Sequence, residues 1–339
     1  MFKKTFIVLL VLFCTDSFSQ IGGKYVYQFL NLVTSPRQAA LGGKTVTIHD
    51  YDVNQGIFNP ATINPEMDNR LSVNYGSYFG EVTYGTAAYA YTYDRHVQTF
   101  HASVNYVNYG SFDGYDENGQ QTAEFTGSDI AVSFGYAFNI PWTDIYLGAN
   151  GKLISSTLES YNSFGAAVDI GALYIDDKND INIALAIRNV GFQIKPYQDT
   201  NEKLPMEIVA GISQSLENVP IRWHLTLENL QQWNIAFSNP NRAEGSLDGG
   251  STEEKVGFFN NALRHVIVGA ELFPEKSFSV RLGYNFRRAE ELRIVDQRNF
   301  SGISAGFGLR FNNVRFDYSY SKYTSDSNTS LFGLMINFQ

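Results

Sequence analysis

Gly302-Ile303-Ser304-Ala305-Gly306 matches the G-x-S-x-G spacing that presents a nucleophilic serine on a strained strand-to-helix turn in hydrolases. Here the five residues lie inside an alternation of bulky apolar and small or polar side chains that runs on to Phe311, and no helical pattern follows. The glycines are therefore expected to be packing residues of a strand and Ser304 no nucleophile. Asp113-Gly114-Tyr115-Asp116-Glu117-Asn118-Gly119 is rich in acids, but these do not fall at the alternating positions before a glycine that a calcium loop requires. His49, His96, His101, His224 and His265 show no metal-ligand spacing. Cys14 is the only cysteine and falls in a segment expected to be removed, so disulfides, thiolate metal sites and a cysteine nucleophile are all excluded from the mature chain. The chain is expected to be non-enzymatic, with no catalytic or metal residues and no cofactor.

The elements around those motifs are more informative. Ile130, Val132, Phe134, Tyr136 and Phe138 interleave with Asp129, Ala131, Ser133, Gly135, Ala137 and Asn139. Successive side chains of a strand point to opposite faces, so this writes one oily face and one small or polar face. The same rhythm returns in Phe278, Val280, Leu282, Tyr284 and Phe286, and in Ile303, Ala305, Phe307, Leu309 and Phe311. Repeated this often, it predicts an all-β fold: an antiparallel up-and-down membrane barrel with lipid outside and a polar lumen.

Strands are expected near 71–80, 83–94, 97–109, 127–139, 143–156, 161–175, 180–192, 205–216, 220–230, 262–273, 277–287, 300–311, 313–322 and 330–338, about fourteen, with twelve as the alternative count. Short joins such as Asn139-Ile140-Pro141 and Pro274-Glu275-Lys276 alternate with long connections at 110–126, 157–160, 193–204, 231–261, 288–299 and 323–329. That is the expected contrast of periplasmic turns and outer loops. The short hairpin near Phe79 to Val82 is the exception. The stretch Asn239 to Lys255 reads as a mobile loop, and Phe258, Phe259 and Leu263 beyond it as membrane-edge aromatics or contact residues.

The register turns eight charges inward: Arg188, Arg222, Glu228, Glu271, Arg281, Arg310, Arg315 and Asp317. Isolated ions there need partners or water, so a salt-bridge network in the lumen is expected, with a permeation path as the alternative. Ahead of the first strand, Pro36-Arg37-Gln38-Ala39-Ala40-Leu41 reads as a short helix stopped by Gly42 and Gly43, and Asn59-Pro60-Ala61 sets an asparagine cap before a proline at the first helical position. Three parts follow: a signal peptide over 1–19, a hatch or plug over 20–68, and a barrel over 69–339.

Lys3 and Lys4 precede the apolar run Phe6 to Phe13, with Ser17 and Ser19 at the expected cleavage site, which predicts export to the outer membrane of a Gram-negative cell. Charged residues make up only 17% of the chain and aromatics 15%, against about 25% charge in an ordinary soluble domain. The net charge of −9, with no basic cluster, argues against a nucleic-acid partner.

The run Gly22-Gly23-Lys24-Tyr25-Val26-Tyr27-Gln28-Phe29-Leu30-Asn31-Leu32, then Ser35-Pro36-Arg37-Gln38-Ala39-Ala40-Leu41-Gly42-Gly43, the acids Asp50 and Asp52, and Asn59-Pro60-Ala61 resemble the PorQ and PorV family of the Bacteroidota type IX secretion system. That family is similar to the fourteen-stranded FadL channels with their N-terminal hatch. Pro36 stands where the family pattern favours a small residue, and Phe338 is penultimate where barrel termini usually end on the aromatic. The resemblance implies an anchor in the attachment complex, with a surface protein of the PorZ type as partner, PorU and PorV nearby, and outer-membrane lipid around the barrel. Arg37, Gly42, Gly43, Asn59, Pro60 and Ala61 would carry the hatch. The alternative is a FadL-like channel for hydrophobic small molecules, disfavoured by the mainly polar and small inward side chains.

Overall fold

Fourteen strands close into one antiparallel barrel in which each strand pairs with its neighbours in sequence and the first pairs with the last. The computed structural model describes residues 25–78, 81–94, 98–236, 244–245, 251–252, 256–292, 300–324 and 327–339. The segment 1–19 read as a signal peptide, the residues Gly22 to Lys24 of the N-terminal motif, the turn holding His96, and most of 239–255 lie outside the described residues. Among the described residues no helix is long and apolar enough to cross a membrane.

The strands are β1 (Arg70–Ser77), β2 (Thr83–Asp94), β3 (Gln98–Phe112), β4 (Phe125–Asn139), β5 (Ile145–Leu158), β6 (Tyr161–Asp176), β7 (Ile181–Lys195), β8 (Glu207–Ser215), β9 (Ile221–Leu227), β10 (Val266–Leu272), β11 (Phe278–Asn285), β12 (Ile303–Phe311), β13 (Val314–Lys322) and β14 (Asn328–Asn337). The two-residue rhythm has its cause in their surroundings. On β4 the outward Phe134 is 63% exposed, while its neighbours Ser133 and Gly135 are buried. Tyr75, Leu153, Ile170, Leu185, Leu282 and Phe332 are exposed in the same way. So wide an apolar exterior is the surface that hydrocarbon covers.

The wall is uneven. β2 to β7 run 12 to 16 residues, whereas β8 to β14 and β1 run 7 to 10. Two strand ends differ from the expected ranges because helices take over. Residues 262–265 belong to the end of helix α2 (Phe258–Leu263) and the turn after it, and Phe286 and Arg287 open helix α3 (Phe286–Glu291). Asn285 turns the chain there, its side chain accepting from Arg288 N at 2.9 Å in an N-cap. The strand expected over 220–230 stops at Leu227.

Inside the barrel runs the chain from Tyr25 to Asn69, an irregular string of turns around one short helix, α1 (Pro36–Ala40). It is held by apolar burial and by side-chain caps. Phe29, Leu30, Leu41, Val46, Val53 and Phe58 are buried. Asp52, Asn59 and Asn64 each accept a backbone N–H two residues ahead, which satisfies donors that turns this short leave free. Gly42 follows α1 at φ +96°, where its amide donates to Ala39 O at 3.1 Å, a conformation a side chain would strain.

Candidate functional site: the ion-pair network of the lumen

Inward pleating sets Arg222, Glu271 and Arg281 opposite one another on β9, β10 and β11. Arg281 donates from Nε to Glu271 at 2.7 Å and from Nη1 to Asp317 at 2.6 Å, and Arg315 donates to the other oxygen of Asp317 at 2.8 Å. Arg37 of α1 then closes the network. Its Nε and Nη2 grip the two oxygens of Glu271 at 3.0 and 2.9 Å, and the same guanidinium meets Asp50 at 2.8 Å and Asp52 at 3.5 Å. Arg222 lies 3.6 Å from Asp50. Four guanidiniums (Arg37, Arg222, Arg281, Arg315) face four carboxylates (Asp50, Asp52, Glu271, Asp317), so the site is charge-balanced.

Balance is what permits burial at this depth. Arg37 is 1% exposed and Glu271 and Arg281 are fully buried, positions a lone ion could not hold. Burial opposes the charge on Arg37, but Asp50, Glu271 and Asp52 outweigh it and hold the guanidinium charged more firmly than usual. Burial likewise pushes the Asp50 carboxyl up, and Arg37 overrides it, pulling it down to about 2. Tyr51 meets Arg315 through its hydroxyl, and its ring carries Arg70, Arg310 and Arg315 within 5.6 Å.

A second network ties the segment to the opposite wall. Lys44 donates to both oxygens of Glu207 at 2.7 Å, and Arg188 adds a bond to Glu207 at 2.9 Å and one to Leu30 O at 3.3 Å. Lys152 pairs with Asp169 at 2.6 Å and donates to Asn189 at 2.8 Å. A bulge supplies this geometry: Val168 faces Val190 and Ile170 faces Ile187, so Asp169 stands against both Arg188 and Asn189, and both turn inward. Asn189, at φ +56°, reaches Asn31 at 3.1 Å.

Two of the eight charges named from the register do not join the networks. Arg310 sits at the barrel mouth, half-buried, donating to Glu275 O at 2.9 Å. Glu228 lies one residue past the end of β9, buried, and its carboxylate has no partner among the described residues. Lys44, Lys152, Asp169 and Glu207 were not singled out by sequence reasoning, although Lys152, Asp169 and Glu207 hold inward places in their strands. Gly43 follows the end of α1, its N–H donating to Gln38 O at 3.1 Å, and Pro60 and Ala61 form one short turn behind Asn59. Asn59 also donates to Val46 O at 2.7 Å. Ser304 is a strand residue bonded to Arg288 and Ser321, and Asp116 tightens its hairpin by accepting from Asn118 N and Gln120 N.

His49 supplies a test of how firmly the segment is seated. Its ring lies 4.8 Å from that of Tyr146, and its buried Nε2 has no partner. Burial lowers its pKa to about 4, against the opposing pull of Asp50 and Asp177. The released segment takes up a proton near 6.5 and the seated one only near 4, so seating weakens as pH falls through that window, by about 3 kcal/mol in all. His49→Phe keeps the ring contact and removes the proton site. Its thermal unfolding midpoint is expected to fall less between pH 7 and 4 than that of the unaltered protein. Below pH 4 both should fall together as Asp50 is protonated.

No family model matches the chain, and no curated protein matches it. Among solved structures, a FadL homologue of Pseudomonas aeruginosa is similar with a TM-score of 0.50 at 10% identity, over 90% of this chain and 98% of that one. CdiB from Acinetobacter baumannii gives a TM-score of 0.33 at 10% identity over 79% and 59% of the two chains, and the KdgM porin 0.29 at 8% over 80% and 99%. At these identities the first shares a FadL-like barrel fold with this chain, and the other two fall below the level at which whole architectures correspond.

Proposed function

We propose that this chain is a non-conducting, non-enzymatic outer-membrane barrel that anchors a surface partner, as a component of the type IX secretion system's attachment complex. The observation that carries the closed-barrel reading is Arg37, drawn from the inner segment into a bidentate grip on Glu271 of the wall and into contact with Asp50 and Asp52. A segment meant to move aside would have to break buried ion pairs, each costing about 3–5 kcal/mol when one partner is withdrawn. The attachment-complex assignment rests on the PorQ- and PorV-like residues from Gly22 to Ala61, with a PorZ-type surface protein as partner and PorU and PorV beside it. Loops on a rigid barrel offer such a partner a fixed footing.

The test is a detergent pull-down from the native membrane, with the intact chain and with residues 240–255 deleted. Secretion-complex proteins are expected with the intact bait and reduced with the deletion. Recovery of none with the intact bait rejects the anchor. A second reading, a FadL-like channel for hydrophobic small molecules, is favoured by the 0.50 TM-score to the FadL homologue. Uptake of labelled fatty acid into liposomes carrying the purified barrel, above that of empty vesicles, would replace the anchor with the channel.

A further inference from the structure

Two cavities flank the inner segment. One, of about 880 Å3, opens between the short turns at the end of the barrel where the first strand begins and the last one ends. The other, of about 660 Å3, lies at the opposite end, above Gly42, Gly43 and Lys44, and has the size of a small-molecule site.

Arg288 Nε, Ser327 Oγ and Thr329 Oγ1 are buried at this second cavity without a partner among the described residues, and Glu228 and Tyr84 face it as well. Glu228 is 8% exposed and its carboxylate makes no hydrogen bond or ion pair among the described residues. Tyr84, 5% exposed on β2, has no partner for its hydroxyl there either. The cations around Glu228 are already engaged. Lys44 holds both oxygens of Glu207, and Arg287 is paired with Glu291 at 3.0 Å. Arg288 donates to Gly302 O at 2.9 Å and to Ser304. A buried carboxylate without a partner is expensive, and burial pushes Glu228 toward its neutral form, so the complement that restores its charge is a donor, best a cationic one.

The remaining wall fixes the rest of the ligand. Tyr78 stands edge-on to Tyr84, with ring centres 6.4 Å apart, and Val33, Ala39 and Leu331 complete an apolar face. Tyrosine faces accept both apolar bodies and cations. We propose that this cavity binds an amphiphilic amine, with its ammonium on the Glu228 carboxylate and its apolar body against Tyr84 and Tyr78. A fatty acid would bring a second negative charge to the side of Glu228, where Lys44 and Arg287 are already taken up by Glu207 and Glu291, so the proposal also separates this cavity from a carboxylate-binding one.

The ammonium can be offered by a free alkylamine or by a lysine of a protein partner, and two arms distinguish them. In the first, the full chain in non-ionic detergent is titrated with dansylcadaverine, which joins an aromatic body to a primary ammonium. Saturable emission is expected, at least tenfold weaker binding by Glu228→Gln, and no difference between the two proteins for the neutral N-acetylated probe. Glu228→Gln keeps the shape of the side chain, and its unboiled electrophoretic band reports that the barrel is folded. A non-saturating signal, or equal affinity in both proteins, overturns the proposal. In the second arm both proteins serve as bait on native membranes. A partner lost with Glu228→Gln assigns the ammonium to that protein, and an unchanged set of partners with tight probe binding assigns it to a free amine.

Discussion

Arg37→Met is expected to turn a silent barrel into a conducting one. Methionine fills much of the space, but Asp50, Asp52 and Glu271 lose the guanidinium that meets all three. Glu271 keeps Arg281, and Asp50 keeps Arg222 at 3.6 Å, so the damage centres on the hold of the segment and not on the wall. Withdrawing one partner of a buried pair costs about 3–5 kcal/mol, which raises the released population by roughly two to four orders of magnitude. Planar-bilayer recording reads it directly: near-zero conductance from the unaltered chain and frequent openings from Arg37→Met. Arg37→Lys should fall between them, because a single ammonium cannot reproduce the fork that spans three carboxylates. Equal silence from Arg37→Met would mean that the ion pairs do not hold the segment.

The second large effect comes from removing space. On the barrel wall, a Cβ added at Gly283 would stand 2.1 Å from Gly42 N and from the Leu41 carbonyl carbon, and one at Gly148 would stand 2.4 Å from the carbonyl of Pro60. Those neighbours are backbone and have no rotamer to give way. Gly283→Ala is therefore expected to push the inner segment out of place, and the double variant with Gly148→Ala to do so more completely. Arg37 and Lys44, 1% and 5% exposed, are then opened to trypsin, and N-terminal cleavage should quicken by at least tenfold. Gly151→Ala is the control. It lies on β5 with nothing within 4 Å of the added methyl, and its cleavage should match that of the unaltered protein. Equal cleavage of Gly283→Ala and Gly151→Ala would show that the wall does not depend on these close approaches.

Much of the barrel could be read from side-chain alternation because lipid imposes a two-residue period on every strand it touches. Fourteen strands follow from it, most ends falling within two or three residues of those expected. The period carries no such information where the chain leaves the sheet. Residues 262–265 and 286–287 fall where a strand end and a short helix compete, and at 286–287 the Asn285 cap decides for helix. The inward charges were legible for the same reason as the strands, but their partners were not. Arg37 finds Glu271 across 234 residues of sequence, and Lys44 finds Glu207 across 163. Such pairings depend on how the inner segment folds back, and its turns are too short to have a period. Glu228 shows the limit most plainly. Parity puts it inside, and nothing in the sequence tells that it stands there without a partner.

The uneven wall has a mechanical consequence for the surrounding membrane. Seven residues in β9 and in β10, at the usual rise and a tilt near 45°, cover roughly 17 Å, whereas the hydrocarbon layer beside such a barrel is about 25 Å tall. On that flank the acyl chains must shorten or the whole cylinder must lean, while the flank of β3 to β7 is met without distortion. A lipid layer thinned on one side stores elastic energy, and the energy drops when a second thin-flanked protein shares the depression. The molecule thus has a direction in the plane of the membrane before any loop makes contact.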